Sequence, residues 1–333
     1  MHDDGQGYSP DLTVVVIGRN EGDRLVNCLR SLRGEGYLVV YVDSGSTDAS
    51  VANARGAGAQ VVALDMAQPF TAARARNAGF DHALQCATGL KWVQFVDGDC
   101  ELAEGWLRSG KAYLERNPDV AVVFGRQRER YRDRSIYNYL CEMEWAVAPG
   151  EVKACGGCAM MRCDAFAQAL GFREGLIAGE EPELCVRLRA QGWRIRALPN
   201  DMALHDAAMT HFGQWWRRSI RAGYAFAEGA SIHGKPPERH WVWESRRAWL
   251  WGLGVPICAL TLSGLFGPWA LAIFGMYPAQ VLRQFVRLPG TAKERALKAV
   301  FQTVGRFPEL VGQILFWRNR LLRRNAQLIE YKS

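Results

Sequence analysis

The sequence predicts an α/β fold built on a Rossmann-like, mostly parallel sheet flanked by helices. Three short β-branched runs, Leu12–Ile17, Leu38–Val42 and Val61–Leu64, are typical of strands that are buried on both faces of such a sheet. Segments with helical spacing separate them, as expected for a doubly wound sheet. Because sheets of this kind bind ligands beyond the carboxyl ends of their strands, the residues that follow each strand are the first candidates for a site.

Local patterns predict the helices between these strands. Arg24–Arg33 carries apolar residues at helical spacing, and Phe70–Leu84 is interpreted as a second helix. Ser46 or Thr47 is predicted to cap a helix that runs through Asn53, since a side-chain hydroxyl can accept a hydrogen bond from first-turn amides.

The bulk composition is that of a globular protein, with 49% hydrophobic and 23% charged residues. The formal net charge is +7, and the basic residues become denser after Arg217, where tryptophans and apolar runs separate them. This distribution favours an anionic membrane surface over nucleic acid as a partner.

The nine cysteines follow no regular framework, and the segment Met1–Pro10 is polar and acidic rather than an export signal. Both features predict reduced thiols in the cytoplasm. Cys155 and Cys158 have the spacing of a zinc-binding pair. A second pair at the usual distance is missing from the sequence, so a zinc site is not favoured.

The clearest candidate site follows the apolar run Trp92–Val96, which leads directly into Asp97, Gly98 and Asp99. Side chains at positions i and i+2 of an extended segment point the same way, so both carboxylates are predicted to face one point. Carboxylates that converge in this way repel each other unless a cation lies between them, and oxygen ligands favour Mg²⁺ or Mn²⁺. The alternative is an Asp-Gly turn with solvated carboxylates.

Polar residues also follow the first two strands. Asn20 and Glu21 come after the first, and Asp43 and Ser44 come after the second. Asp43 can accept a hydrogen bond from a base or a ribose, or it can close an Asx turn at the entry of a helix. Neither a dinucleotide-binding glycine motif nor a P-loop occurs in the sequence.

Four motifs in this order resemble glycosyltransferase family 2, which has the GT-A fold. They are Arg19-Asn20-Glu21, the segment Asp43–Asp48, the segment Arg74–Gly79 and Asp97-Gly98-Asp99, and the resemblance covers residues 11–212. It implies that Asp97 and Asp99 bind the diphosphate of a nucleotide sugar through a divalent metal. It also implies a set of residues that hold the nucleotide sugar: Asn20, Glu21, Asp43, Ser44, Arg74 and Asn77.

Three glutamates, Glu180, Glu181 and Glu183, come at the start of a predicted helix. Acidic residues in a first turn are favoured by the helix dipole alone. A carboxylate within reach of an acceptor hydroxyl can also take its proton, which is the work of a general base. The stretch resembles the Glu-Asp pair of the family, with Glu181 at the position of the aspartate. Glu181 is therefore the predicted base, and Glu180 and Glu183 are its rivals.

Further candidates lie later in the chain. Gly156 and Gly157 precede an apolar run and permit close approach of the backbone to a sugar, or they form a plain turn. His205 is predicted as a third metal ligand or a contact of the diphosphate, against the alternative of a structural histidine. Trp215, Trp216 and Arg217 are interpreted as residues that bind a sugar or lie at an interface.

The stretch from Ala248 to Leu282 contains no charged residue, and arginines flank it on both sides. Gly267 and Pro268 divide it near its middle, which predicts a membrane hairpin with both basic flanks in the cytoplasm. A buried helical pair in a soluble domain is the alternative. The segment Phe307–Leu322 has apolar residues at helical spacing with arginines opposite, and it is predicted to lie in the membrane interface.

These observations predict four regions: a polar tail (1–10), a GT-A catalytic domain (11–212), a basic, Trp-rich interface helix and linker (213–245), and a membrane-associated helical region (246–333). The predicted function is metal-dependent, inverting transfer of a sugar from a nucleotide diphosphate sugar, taken as a UDP-sugar, to a lipid-linked or membrane-proximal glycan. The predicted location is the cytoplasmic face of the plasma (inner) membrane. The alternative is a catalytically weakened membrane scaffold of a polysaccharide assembly complex, which the glutamate at position 181 keeps open.

Overall fold

The computed structural model describes residues 11–33, 36–324 and 328–330, so the predicted tail 1–10 lies outside the described residues. The chain divides into two compact units. The first, called the sheet unit, comprises the residues up to Asp133 together with 144–176 and 180–208. The second, called the helical unit, comprises 134–143, 177–179 and the chain from Met209 onward. The predicted boundary at 212–213 lies close to Met209, whereas the two short internal stretches of the helical unit were not predicted.

One sheet organises the sheet unit, in the order β3-β2-β1-β4-β8-β6-β9-β5, with β7 paired to β9. The pairs β1–β2, β1–β4, β2–β3 and β6–β9 are parallel, and β8 runs antiparallel between β4 and β6. The predicted α/β fold is therefore confirmed. The strands are β1 Leu12–Gly18, β2 Leu38–Asp43, β3 Gln60–Ala63, β4 Trp92–Asp97, β5 Cys100–Leu102, β6 Val120–Glu129, β7 Gly150–Glu151, β8 Ala159–Arg162 and β9 Arg194–His205.

Three helices between the strands lie within a few residues of the predicted segments: α1 Asp23–Ser31, α2 Ser50–Gly56 and α3 Ala72–Cys86. The predicted helix at the glutamates is α7 Glu180–Ala190. The helices α4 Trp106–Arg116, α5 Ile136–Trp145 and α6 Cys163–Gln168 were not predicted. The predicted cap of α2 is wrong, because the helix starts after Ala49 without a side-chain cap. The hydroxyl of Ser46 instead accepts a hydrogen bond from the backbone of Asn20.

Close packing of α3 on the sheet brings its first turns to the carboxyl ends of the strands. A Cβ atom at Gly79 would lie 2.4 Å from the Val15 side chain and 2.8 Å from that of Val42, so only glycine permits this approach. Thr71 caps the helix by accepting a hydrogen bond from the backbone N–H of Arg74 at 3.1 Å.

The helical unit is built around the long helix α8 Phe212–His233 and its partner α13 Arg306–Leu321. Between them come α9 Val242–Trp249, a π-helical turn Leu250–Gly254, α10 Val255–Phe266, a 3₁₀ segment Pro268–Gly275, α11 Met276–Arg287 and α12 Ala292–Val304. The contact between α8 and α13 depends on glycines. A Cβ at Gly223 would lie 2.0 Å from the Glu309 carbonyl oxygen, and one at Gly312 would lie 2.0 Å from the Ile220 carbonyl oxygen.

The uncharged stretch 248–282 forms two arms that meet at Gly267. Helix α10 ends at Phe266, Gly267 adopts a φ of 96°, and the 3₁₀ segment starts at Pro268 and packs against α10. By length and composition alone, Val242–Phe266 could cross a membrane, and 17% of its most apolar window is buried. Membrane insertion of these arms stays a prediction.

Helix α13 presents its predicted apolar stripe in two directions. Leu310 is buried and contacts the π-helical turn at Gly252, so it belongs to the protein core. Ile314, Trp317 and Leu321 are exposed. Leu310 therefore does not belong to the apolar surface that was predicted to lie in the membrane interface.

We predict that Gly223→Ala destabilises the helical unit, because the added methyl group would force α8 away from the backbone of α13. Overpacking of this kind costs about 1–3 kcal/mol. Gly213→Ala is the matched control, since a Cβ at Gly213 in the same helix would meet nothing within 4 Å. Thermal unfolding of both variants checks this. Equal midpoints would show that the two helices are not held together by this close approach.

Candidate active site

The loops that follow β1 and β2 are fastened to each other. The backbone N–H of Asn20 donates to the Ser46 hydroxyl at 2.9 Å, and the N–H of Thr47 donates to Asn20 Oδ1 at 2.7 Å. The N–H of Gly22 donates to Asp48 Oδ2 at 3.0 Å. Asn20 has a φ of 55°, a conformation that asparagine tolerates better than most residues. Two of the predicted nucleotide-binding segments therefore form one ordered edge.

Asp43 is buried at the end of β2 and closes the Asx turn that the sequence left as an alternative. Its Oδ2 accepts hydrogen bonds from the backbone N–H groups of Gly45 and Ser46, each at 3.0 Å, and its Oδ1 accepts one from the Tyr41 hydroxyl. Ser44 is also buried, and its N–H donates to the Gly18 carbonyl at 3.1 Å. These contacts shape the loop, and the predicted contacts of Asp43 and Ser44 with a nucleotide stay predictions.

The side chains of two other predicted nucleotide-binding residues donate hydrogen bonds to backbone carbonyl groups. The Arg74 guanidinium donates to the carbonyl oxygens of Asp65 and Gln68 at 2.8 and 3.2 Å. The Asn77 amide donates to the Phe172 carbonyl at 2.8 Å and accepts from its N–H at 2.9 Å. Glu21 pairs with Arg24 at 2.9 Å. Direct contacts of Glu21, Arg74 and Asn77 with a ligand stay predictions.

Arg76, which the sequence analysis did not select, is the centre of the site. Its guanidinium is buried, and Nη2 lies 2.8 Å from Asp97 Oδ1. Its Nη1 lies 2.9 Å from Glu180 Oε1 and 3.0 Å from Glu181 Oε1. A signal for Arg76 exists in the sequence, because it occupies a position in the buried stripe of α3, with Ala73, Phe80 and Ala83 at helical spacing.

The environment of the cluster changes the pKa of Arg76 and of Glu181. Burial disfavours the charged guanidinium, but the neighbouring Glu181, Asp97 and Glu180 outweigh that effect and raise the pKa of Arg76. Burial and the nearby Glu180 raise the pKa of Glu181 to about 7, against the lowering effect of Arg76. Glu181 can therefore bind and release a proton near neutral pH, as a general base must.

Glu183, a predicted rival for the role of base, is held elsewhere. Its side chain is buried, and Arg187 contacts both carboxylate oxygens, with Nη2 at 2.6 Å from Oε2. Arg173 adds a contact at 3.3 Å. The structure thus brings Glu180 and Glu181, but not Glu183, to the Arg76 cluster.

Asp99 and His205 lie together at the junction of β5 and β9. His205 Nε2 is 3.5 Å from Asp99 Oδ2, and both side chains are buried. Ligand atoms of Asp99, Cys100 and His205 all fall within 4.8 Å of one another. Burial raises the pKa of the Cys100 thiol. The Asp99 carboxylate and the His205 imidazole nitrogen are the donors that the sequence analysis predicted. A buried oxygen and nitrogen pair of this kind fits a divalent cation.

The two aspartates predicted to share a cation are turned in different directions. Asp97, the last residue of β4, is bound to Arg76, whereas Asp99 follows a turn and faces His205. The alternation of side chains that predicted a common direction applies only within a strand, and β4 ends at Asp97. Asp99 and His205 are therefore the better-placed predicted metal ligands.

Glu129 lies beside the imidazole of His205, and the sequence analysis did not select it. Its Oε2 lies 3.6 Å from His205 Nδ1 and accepts a hydrogen bond from the Ala207 N–H at 3.0 Å. The Trp145 ring packs edge-on against the imidazole, with centroids 4.5 Å apart. Glu129 thus lies on the Nδ1 side of the ring, and Asp99 lies on the Nε2 side.

Gly157 allows the chain to lie directly against the Arg76–Asp97 pair. A Cβ there would be 2.5 Å from Arg76 Nη2 and 2.6 Å from Asp97 Oδ2. A Cβ at Gly156 would meet nothing within 4 Å. The predicted contact of these glycines with a sugar stays a prediction. At Gly157 the close approach to Arg76 and Asp97 requires a glycine even if no sugar binds there.

The predicted aromatic contacts of an acceptor lie in the helical unit. Trp215 is buried and packs edge-on against Phe301, with centroids 4.9 Å apart. Trp216 contacts Phe212, and Arg217 is exposed on α8. Trp215 therefore contributes to the core of that unit, and a role of these residues in binding sugar stays a prediction.

Comparison with known proteins identifies the family. Residues 13–170 match the model of glycosyl transferase family 2. This segment is a family 2 glycosyltransferase domain. A pre-mycofactocin glycosyltransferase from Mycobacterium tuberculosis is 30% identical over 235 residues, which cover 67% of this chain and 48% of that protein. The chain thus spans about half the length of the curated relative it matches.

A solved structure of similar fold matches nearly the whole chain. A mannosyltransferase from Pyrobaculum calidifontis, in complex with GDP-Man and Mn²⁺, superposes with a TM-score of 0.57 and 20% identity. The match covers 96% of this chain and 92% of the mannosyltransferase. The glycosyltransferase domain has the predicted GT-A fold.

We predict that Glu129→Gln weakens metal binding by about 10- to 100-fold, because it removes the negative charge that lies 3.6 Å from His205 Nδ1 and supports the imidazole as a ligand. The measurement is the Mn²⁺ concentration that gives half-maximal activity. Glu104→Gln, which changes an exposed carboxylate of the same unit, is the control and is expected to leave that concentration unchanged. An unchanged requirement in Glu129→Gln would remove Glu129 from the metal site.

Proposed function

We propose that this protein is a metal-dependent, inverting glycosyltransferase that transfers a sugar from a nucleotide diphosphate sugar to a lipid-linked or membrane-proximal glycan. Such a reaction would serve the synthesis of cell-surface or exported polysaccharide. The observation that carries the proposal is the position of two groups next to each other along the chain. Asp97 at the end of β4 is bound to the Arg76 cluster that contains Glu181, and Asp99, two residues later, faces the buried His205. This closeness in sequence supports a proposed site with both a metal-binding pair and a proton-accepting carboxylate.

The donor is proposed to be a UDP-sugar, held at the edge formed by the loops after β1 and β2. Its diphosphate would be bound through Asp99 and His205. A divalent cation at these two residues would stabilise the negative charge that develops on the departing diphosphate. Since the mannosyltransferase of similar fold was solved with GDP-Man, guanosine donors belong in any test of the donor.

Glu181 is proposed as the general base, with Glu180 beside it. A hydroxyl is a weak nucleophile near neutral pH, and a carboxylate with a pKa of about 7 can take its proton as the anomeric carbon is attacked. Attack from the face opposite the leaving diphosphate inverts the anomeric configuration. Arg76 holds the carboxylate of Glu181 in position through its Nη1 contact at 3.0 Å.

Attachment to the cytoplasmic face of the plasma membrane is part of the proposal. It is supported by the uncharged arms within 248–282, their exposed apolar side chains, and the exposed arginines on both sides of them. The exposed end of α13 adds Trp317 and Leu321. Because both units belong to one chain, anchoring of the helical unit would keep the glycosyltransferase domain at the membrane, where lipid-linked acceptors are found.

We predict that the protein releases nucleotide diphosphate from one donor in a panel of UDP- and GDP-sugars, and that a chelator stops the release. Asp99→Asn is expected to abolish it, because the buried amide cannot supply the negative oxygen that a cation requires. Asp201→Asn, at an exposed carboxylate of the same unit, is the control. The assay uses membranes that contain the full chain, with glycolipids added as acceptors. If no donor released nucleotide diphosphate, the result would favour the non-catalytic scaffold. If neither the chelator nor Asp99→Asn reduced the release, the result would refute the metal site.

We predict that kcat/KM rises with pH through an apparent pKa near 7, because Glu181 accepts a proton only after it has lost its own. Glu181→Gln is expected to lower turnover by about 10²- to 10⁴-fold. Arg76→Gln is expected to move the rising limb to higher pH, since it removes the positive charge that lowers the pKa of Glu181. A full pH profile of the wild-type protein and both variants decides this. If the Glu181→Gln variant kept normal turnover and the same rising limb of the pH profile, another residue would be the base.

A further inference from the structure

Large exposed apolar side chains are concentrated where the two uncharged arms meet. They lie between residues 257 and 271, on the last part of α10 and on the 3₁₀ segment that follows Gly267. Their exposed fractions range from 42% to 87%: Ile257, Leu260, Leu265, Phe266, Trp269 and Leu271. We name residues 257–271 the hairpin tip.

We propose that the hairpin tip inserts into one leaflet of an anionic lipid bilayer and returns to the same side without crossing. The inference rests on the proposed membrane attachment and goes beyond it by fixing the depth and the topology of insertion.

The base of the hairpin is already packed against protein. Ala248, Val255 and Ala259 are buried. A Cβ at Gly252 would lie 2.8 Å from the Arg306 carbonyl oxygen at the start of α13. The Tyr277 hydroxyl on the return arm donates to the carbonyl of Trp251. The tip, in contrast, has an apolar surface that the helical unit leaves uncovered.

The length of the tip matches one leaflet. Residues 257–266 form ten residues of α-helix, or about 15 Å. The return segment Pro268–Gly275 has eight residues in 3₁₀ form, or about 16 Å. The hydrocarbon core of a bilayer is about 30 Å thick, so each arm reaches about its middle. An arm would need roughly twice this free length to cross.

Charges at the base set the level of the headgroups. Arg246 and Arg247 are exposed before the outgoing arm, and Arg283 and Arg287 are exposed on the return arm. Near the base, Arg306 and Glu309 form an ion pair at 2.6 Å on α13. Entry of these groups into hydrocarbon would be costly, whereas arginines at the surface attract anionic lipids.

Two backbone N–H groups at the turn of the tip are bonded internally, which favours entry of the turn into hydrocarbon. The N–H of Gly267 donates to the Ser263 carbonyl at 3.0 Å, and the N–H of Ala270 donates to the Gly267 carbonyl at 3.2 Å. Backbone that enters a bilayer must satisfy its own polar groups in this way.

The topology is tested with the full chain carrying Cys86→Ser and Cys258→Ser, which remove the two exposed thiols, and Phe266→Cys at the tip. It is incorporated into membrane vesicles and treated from each side with a membrane-impermeant maleimide. The expected result is no labelling at position 266 from either side, and maximal quenching of a fluorophore attached there by lipids with nitroxides near the bilayer centre. Labelling from the side opposite the catalytic domain would show a spanning hairpin and overturn the proposal. Labelling from the same side, or the absence of quenching, would show that the tip is not inserted.

Binding to phosphatidylglycerol-containing vesicles provides a second test that needs no enzymatic activity. Trp269→Asp is expected to reduce binding at least tenfold, since it removes a large inserted side chain and adds a charge. Leu170→Asp is the matched control, because Leu170 is an apolar residue of the sheet unit that is 88% exposed. Equal binding of both variants would overturn the proposal. So would the finding that Trp269→Asp changes only the self-association of the protein and not its binding to vesicles. Normal topology in a protein without transferase activity would refute the proposed function and leave this inference standing.

Discussion

The geometry of the candidate active site depends on one buried arginine. Arg76 on α3 contacts Asp97 at the end of β4 and Glu180 and Glu181 at the start of α7. Without its charge, three carboxylates would face one another in a largely buried space, which is unfavourable for any of them to be ionised. A buried ion cluster of this kind has a desolvation cost, so its value lies in fixing the positions of these groups rather than in stability alone.

The sequence predicted the scaffold of this site more completely than its contacts. The β-branched runs and the helical spacing located β1, β2, β4 and α3 because these signals are local and repeat along the chain. The helical spacing places Arg76 in the buried stripe of α3, but its partners lie 21 and 104 residues away, so no local pattern shows which carboxylates it contacts. Glu129 was missed for the same reason, since it reaches His205 only through the pairing of β6 with β9.

The helical unit shows a second limit of reading the chain locally. The apolar stretch and its division at Gly267 were visible in the sequence, and so was the helical spacing of α13. The close crossing of α8 and α13 was not, because a glycine inside a helix gives no indication of which backbone approaches it. Leu310 is buried against the π-helical turn at Gly252, whereas Ile314 on the next turn of the same face is exposed.

The hydrogen bonds that join Asn20 to Ser46 and Thr47 have a further consequence for recognition. Loops that are mobile before binding must lose conformational entropy when a ligand arrives, and that loss weakens the complex. Here the two loops constrain each other through their own side chains and backbone before any ligand is present. A ligand that binds at this edge keeps more of its interaction energy as affinity, and it must fit a shape that the protein has already set.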